Sequence, residues 1–209
     1  MVRNISLLVV LSVLTLSEVQ AGWGNGGGQG QIAESLTTVE AEHLQWLREE
    51  EKVSRDVYDL LYQHWGLYVF SNIAAAEQRH MDSVLMQLQR YGLVDPALQA
   101  GLFSNQELQA LYESLMLQGT TSEMDALHTG ALIEEVDMQD LHEMIASTDN
   151  SGLISLYEKL LCGSRNHLRA FVSQIESRGM VYQAQVMDQE AVDLIVDSPM
   201  ERRCGRRYR

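Results

Sequence analysis

The chain has 209 residues, of which 45% are hydrophobic, and its formal net charge at pH 7 is −14. This length and hydrophobic content suffice for one domain with a well-packed core. The negative charge makes nucleic acid and anionic membrane surfaces poor partners for the body of the protein, so we expect neither.

The first 21 residues are typical of a secretory signal peptide. Arg3 provides a basic start, an apolar run extends from Ile5 to Leu16, and small residues surround a cleavage site after Ala21. The run is short for a transmembrane helix, and no cysteine follows it where a lipoprotein would be cut. We therefore expect a periplasmic or secreted protein without a stable membrane anchor.

A Gly-rich linker, residues 22–36, precedes the domain, which we expect to span residues 37–179. Helical spacing of apolar residues, together with capping signals, predicts five helices, at residues 38–65, 70–91, 104–118, 122–147 and 152–177. Four of them exceed the roughly twelve residues of a typical globular helix, and the short one lies in a connection. We predict an all-α fold: a four-helix bundle with a crossover connection that carries a short extra helix.

A C-terminal extension, residues 180–209, follows the predicted bundle. We expect a short strand or helix within it and then a basic tail, residues 201–209, with five arginines and one glutamate. A solvated tail is the expectation, and folding back onto the acidic body or binding an anion are the alternatives. Cys162 and Cys204 could pair in an exported protein, but their spacing does not predict a disulfide and we expect unpaired thiols.

Every long helix carries ionisable or polar side chains in the middle of its apolar stripe. On the second helix, Glu77 and His80 share a face with apolar residues that precede and follow them. The equivalent residues of the other three helices are Glu51, Glu134 and His167. A single buried charge can reflect a misassigned face or a core hydrogen bond, but four helices with such groups at similar depth predict a metal site. Carboxylates and imidazoles suit one or two ions of iron, with manganese or zinc as alternatives.

Several segments resemble the ferritin-like superfamily, which includes the rubrerythrins. EKVSRDVY (51–58) resembles its first-helix metal-binding Glu and following Tyr, EQRH (77–80) its second-helix Glu-x-x-His, and EEVD (134–137) its third-helix Glu-x-x-Glu. More closely, five blocks resemble an uncharacterised ferritin-like family, domain of unknown function 2202: REEEKVSRDVY, FSNIAAAEQRHMDSV, RYGLVDP, GALIEEVDMQDL and GSRNHLRAF. The resemblance implies a ferritin-like bundle with a carboxylate-rich metal site, and it implies no particular reaction.

The fourth helix departs from the ferritin-like pattern, because Ser164 stands where a second Glu-x-x-His would have its carboxylate. Three interpretations remain open: an asymmetric two-metal site, a single-metal site, and a bundle that has lost its metal. Asp137 is a sixth candidate ligand, somewhat off the stripe. Glu50 is an alternative to Glu51, which we prefer for its spacing to Tyr58.

The predicted metal site and the predicted export together suggest a function. We expect an exported ferritin-like protein whose carboxylate-bridged iron or manganese site handles a small oxidant or oxidises ferrous iron. Ser164 would leave an open position there for oxidant or water. The alternative is a non-catalytic bundle that binds metal or docks a partner. The sequence assigns no catalytic residue, and a homo-oligomer remains an open expectation.

Overall fold

A computed structural model describes residues 35–202 and residue 204. The predicted signal peptide and residues 22–34 of the predicted linker lie outside the described residues, as do residues 203 and 205–209 of the basic tail. Within the described part the chain has six helices and no strand, which confirms the predicted all-α fold. The helices are α1 (Thr38–Trp65), α2 (Tyr68–Arg90), α3 (Gln106–Gly119), α4 (Glu123–Ala146), α5 (Ser151–Glu176) and α6 (Gln189–Val196).

The four long helices pack as two pairs, α1 with α2 and α4 with α5, which also contact each other through α1 with α4 and α2 with α5. The aromatic rings of Tyr58, Phe70 and Phe171 meet in the core, with centroids 5.3–6.1 Å apart. The apolar stripes predicted for these helices are buried over nearly their whole length, since helical periodicity identifies the inward face. Among the described residues, we find no helix with both the length and the hydropathy needed to cross a bilayer.

Side-chain caps begin most of the helices. The capping box predicted for α1 is present: the Thr37 hydroxyl accepts from the Glu40 amide at 3.2 Å, and the Glu40 carboxylate accepts from the Thr37 amide at 2.8 Å. The short helix α3 begins at Gln106, two residues after the start predicted at residue 104. Asn105 caps α3, and the Ser104 hydroxyl donates to Glu49 at 2.7 Å.

A run of charged residues in the middle of α1 is buried and fixes the connection between α2 and α3. Arg48 holds Asp95 through two hydrogen bonds of 2.9 Å. Glu49 accepts from two backbone N–H groups just before α3, at 2.6 and 2.9 Å, and Lys52 donates to the Leu102 carbonyl at 2.9 Å. These pairs set the rotation of α1, so that the two residues between Glu49 and Lys52 are directed towards the other helices.

The C-terminal extension is anchored on α4 by a buried carboxylate, that of Glu135. It accepts from the Tyr182 hydroxyl at 2.6 Å and from the backbone N–H groups of Gln185, Val186 and Met187 at 2.8–3.1 Å. The short helix α6 follows, and it settles the choice between strand and helix that the sequence left open. Tyr182 itself is 3% exposed, so the extension contributes to the core.

The end of the described chain folds back onto α5, which corrects two expectations. Glu201 forms two hydrogen bonds of 2.6 Å with Arg165, and Cys204 forms a disulfide with Cys162, whose Cα lies 5.5 Å away. The sequence did not predict the disulfide because Cys162 lies on a predicted core helix and Cys204 in an Arg-rich tail, 42 positions later. The expectation of a solvated tail does not hold for Glu201, which Arg165 and Arg169 hold against α5, whereas residues 203 and 205–209 lie outside the described residues.

Candidate metal centre

The five side chains predicted from the helix stripes converge in the core. They form two triads of candidate ligands with one shared member: Glu51, Glu77 and His80 in the first, and Glu77, Glu134 and His167 in the second. Within each triad the ligand atoms lie within 4.8 Å of one another. The three carboxylates are 1–2% exposed and the two histidines 8% exposed, so the cluster is almost closed to solvent.

Glu77 lies at the centre of the cluster and faces both histidines. One of its carboxylate oxygens is 2.8 Å from Nδ1 of His80, and the other is 2.8 Å from Nδ1 of His167. Glu51 lies 3.2 Å from the same nitrogen of His80, and Glu134 lies 3.4 Å from that of His167. Two positions therefore exist where a carboxylate pair and an imidazole nitrogen meet, and Glu77 spans both of them.

Two candidate ligand atoms of the triads have no hydrogen-bond partner. Oε1 of Glu51 and Nδ1 of His167 are both buried and have no hydrogen-bond partner. Nδ1 of His167 is close to Glu77 but lacks the alignment of a hydrogen bond, so the two atoms are directed to a common space rather than at each other. Converging oxygen and nitrogen ligands without partners are what iron, manganese or zinc would satisfy.

The two histidines lie between α2 and α5, where Gly163 leaves space for the His80 ring. The imidazole rings of His80 and His167 are stacked, with centroids 5.5 Å apart. The His80 ring lies directly against Gly163 of α5, where a Cβ atom would be 2.6 Å from Cε1 and Nε2 of the ring. The absence of a side chain at Gly163 therefore allows the His80 ring to occupy this position.

Tyr58 fixes one of the candidate ligands. Its hydroxyl donates to Glu134 at 2.6 Å, and its ring packs against Phe70 and Phe171. Burial, reinforced by the charge of Glu134, raises the pKa of Tyr58 well above its ordinary value, so the hydroxyl remains a donor. The second oxygen of Glu134 is thereby held on the side of His167.

The histidines and carboxylates of the cluster shift one another's pKa values. Burial lowers the pKa of His80 and of His167, but the neighbouring carboxylates outweigh burial, so that the pKa of His80 is well above 6.5 and that of His167 is about 10. Burial raises the pKa of Glu77, but the positive charges of His167 and His80 lower it more. The pKa of Glu77 is therefore below its ordinary value. Desolvation raises the pKa of Glu51 and of Glu134.

Asp137, the sixth candidate ligand, belongs to neither triad and is in direct contact with Ser164. The Ser164 hydroxyl donates to Oδ2 of Asp137, while Oδ1 of Asp137 is buried without a partner. Burial, with the charge of Glu134, raises the pKa of Asp137 to about 7. The sequence predicted an open position at Ser164, and that position stays a prediction; the structure adds that the Ser164 hydroxyl is bonded to Asp137.

The alternative ligand Glu50 is buried but belongs to neither triad. It faces α4, and burial followed by the charges of Asp140 and Asp137 raises the pKa of Glu50 well above its ordinary value. Gly163 and the contact between Ser164 and Asp137 were not predicted. A glycine in the middle of a helix is a signal of close approach, which would have identified Gly163. No single-helix pattern identifies a contact between α4 and α5.

The described helices and the two buried triads define an all-α protein with a carboxylate–histidine cluster. The chain belongs to the family described as uncharacterized protein domain (DUF2202), whose model matches residues 40–199. This confirms the resemblance to that family.

The chain is also similar to an uncharacterized protein, MJ0754, of Methanocaldococcus jannaschii. The two are 43% identical over 173 residues, which cover 82% of this chain and 94% of the relative. A crystal structure of hypothetical protein MJ0754 from Methanococcus jannaschii DSM 2661 matches the fold with a TM-score of 0.78 at 41% identity. The match covers 85% of this chain and 100% of that one.

Proposed function

We propose that this chain is an exported ferritin-like metal-binding protein whose two triads would hold two divalent ions, iron or manganese. We further propose that it uses them to handle a small oxidant or to oxidise ferrous iron. The observation that carries the proposal is the position of Glu77, whose two oxygens each lie 2.8 Å from a different histidine. Glu77 would therefore be a ligand in both triads.

The distribution of ligands over the helices supports the ferritin-like part of the proposal. Ferritin-like di-iron proteins contribute one Glu from each of two helices and a Glu-x-x-His pair from each of the other two. Here α1 and α4 provide the single residues Glu51 and Glu134, and α2 provides Glu77 with His80. The fourth helix of the set, α5, provides His167 alone.

Charge balance supports two divalent ions rather than none. Glu51, Glu77, Glu134 and Asp137 are four carboxylates that are each at most 5% exposed. Buried carboxylates without compensating charge are strongly destabilising. Two divalent cations would neutralise four carboxylates while leaving both imidazoles neutral, which is the state in which imidazole binds a metal.

The chain's own residues would orient and protect such a centre. Tyr58 holds Glu134, Gly163 allows His80 to approach, and the apolar rings around Tyr58 exclude water. When bound, ferrous ions would supply the electrons that reduce oxygen or peroxide. The histidines are the most exposed members of the cluster, so we propose that small reactants reach it between α2 and α5.

Export is the other part of the proposal, and the disulfide supports it. Cys162 and Cys204 are paired, and disulfides persist mainly in oxidising compartments. The signal peptide predicted for residues 1–21 would direct the chain there. Fractionation of the producing cells, with the mass of the mature protein measured intact, tests this part. A cytoplasmic chain that retains residues 1–21 would contradict it.

A non-catalytic metal-binding bundle is the second candidate, favoured by the hydroxyl at Ser164 in place of a carboxylate. Metal content after purification without chelator, followed by oxygen uptake on anaerobic loading with ferrous ion and exposure to air, separates the candidates. Two irons per chain with uptake support the redox function, and bound iron without uptake supports the second candidate. Glu77→Gln should abolish binding of both ions, whereas Asp82→Asn, an exposed carboxylate on the same helix, should not. Equal metal content in Glu77→Gln and in the parent protein would refute both candidates.

A further inference from the structure

The contact between Ser164 and Asp137 joins two features that the proposed centre leaves unexplained. Ser164 is one turn before His167 on α5, where the pattern of the centre lacks a carboxylate. Asp137 is one turn after Glu134 on α4 and is 5% exposed. The Ser164 hydroxyl donates to one oxygen of this carboxylate, and the other oxygen is buried without a partner.

We infer that Asp137 supplies from α4 the carboxylate that α5 lacks, and that Ser164 is the positioning residue that holds it there. The inference rests on the proposed function, since it concerns the same centre. Serine is short enough to leave the space that a glutamate on α5 would fill. Its hydroxyl then fixes one oxygen of the incoming aspartate, and the free oxygen is left for the ion.

Asp137 belongs to neither triad, but it lies one turn after Glu134, a member of the second triad, on the same helix. Its second oxygen is buried without a partner. A carboxylate with one anchored oxygen is a rigid ligand, because the hydrogen bond of Ser164 restricts rotation about its side chain.

A second buried serine offers a matched control for Ser164. Ser54 lies on the stripe of α1, is 5% exposed, and bonds the backbone carbonyl four residues earlier at 3.3 Å. Ser164 makes the equivalent backbone contact, at 3.0 Å to the Leu160 carbonyl. The two serines therefore differ chiefly in the carboxylate that Ser164 also contacts.

The test is a titration of the full-length oxidised protein with cobalt(II), followed by visible absorption and by metal analysis after gel filtration. We expect Ser164→Ala to weaken binding of the second cobalt ion by about 10- to 100-fold, the range typical of lost partners of ligands. Ser54→Ala should bind as the parent protein does. Equal affinity for the second ion in the Ser164→Ala and Ser54→Ala proteins would overturn the inference while leaving the proposed function intact.

Transfer of the carboxylate between helices separates a positioning role from a structural one. Asp137→Ser should bind one cobalt ion, and addition of Ser164→Glu to that variant should restore the second. A double variant that binds no more than Asp137→Ser overturns the inference. If the parent protein and Glu77→Gln take up cobalt equally, the proposed function fails and the inference fails with it.

Discussion

Replacement of Gly163 by alanine tests the geometry of the centre while every candidate ligand keeps its side chain. The added Cβ would lie 2.6 Å from Cε1 and Nε2 of His80, whereas non-bonded carbon atoms prefer about 3.5–4.0 Å. The His80 ring must therefore move by about 1 Å away from α5. Its Nδ1 atom moves with it and leaves the position 2.8 Å from Glu77.

Two opposing effects set the change in stability. Overpacking of a buried site costs about 1–3 kcal/mol, whereas alanine is favoured over glycine within a helix by about 1 kcal/mol. We expect Gly163→Ala to lower the free energy of unfolding by up to about 2 kcal/mol in the metal-free protein. In the His80→Ala background the ring is absent, so the same substitution should raise the free energy of unfolding by about 1 kcal/mol.

The assay is urea unfolding in the presence of chelator, followed by far-ultraviolet circular dichroism, for all four proteins of this double-mutant cycle. The reversal of sign between the two backgrounds is the diagnostic result, with a coupling free energy of about 1–3 kcal/mol between Gly163 and His80. An equal effect of Gly163→Ala in both backgrounds would refute the close approach of the ring. In the presence of metal, Gly163→Ala alone should also weaken binding at the triad of His80 by about tenfold or more.

Three other predictions concern the C-terminal extension. Glu135→Gln should lower the free energy of unfolding by about 2–3 kcal/mol, because an amide cannot accept all the hydrogen bonds of the carboxylate; unchanged urea unfolding would contradict this. Hydrogen bonds from Arg165 hold the pKa of Glu201 below its ordinary 4.5. The ionised Glu201 therefore stabilises the fold above pH 4.5, and this stabilisation is lost as the pH falls through the lowered pKa that Glu201 has in the folded protein. Thermal melts from pH 6 to pH 3 should therefore show a greater loss of stability in the parent protein than in Glu201→Gln, and parallel losses would argue against the pair. Cys204→Ser should cost about 2–4 kcal/mol and abolish the sensitivity of unfolding to reductant, and a parent protein indifferent to reductant would contradict it.

The helix stripes were predictable from sequence because burial on a helix is periodic. Glu51, Glu77, Glu134 and the two histidines were located by counting along single helices, and the structure brings all five together. The same counting could not by itself separate Glu50 from Glu51. Their side chains leave the helix about 100° apart, and both sides of α1 are buried at this point.

Contacts between distant segments were not predictable in this way. The charged run on α1 has the composition of a solvated face, yet Arg48 is buried because it pairs with Asp95, which lies 47 positions later. The buried anchor Glu135 likewise depends on partners up to 52 positions later, in the C-terminal extension. Each of these residues carries a charge whose burial is explained only by its partner, and the partner is known only from the fold.

Stability alone gives no reason for the cluster around Glu77. The buried charges of Arg48 and Glu135 each pair with a distant segment and hold the connection or the extension in place, although Nη1 of Arg48 has no partner, so their burial has a structural explanation. The cluster differs, because each triad holds a ligand atom without a partner, Oε1 of Glu51 in the first and Nδ1 of His167 in the second. Apolar side chains of similar size would pack there at no electrostatic cost, whereas these groups require either captured protons or a cation. Cations in the two triads would satisfy these unpartnered atoms, and this is the physical reason to favour a metal centre over a merely polar core.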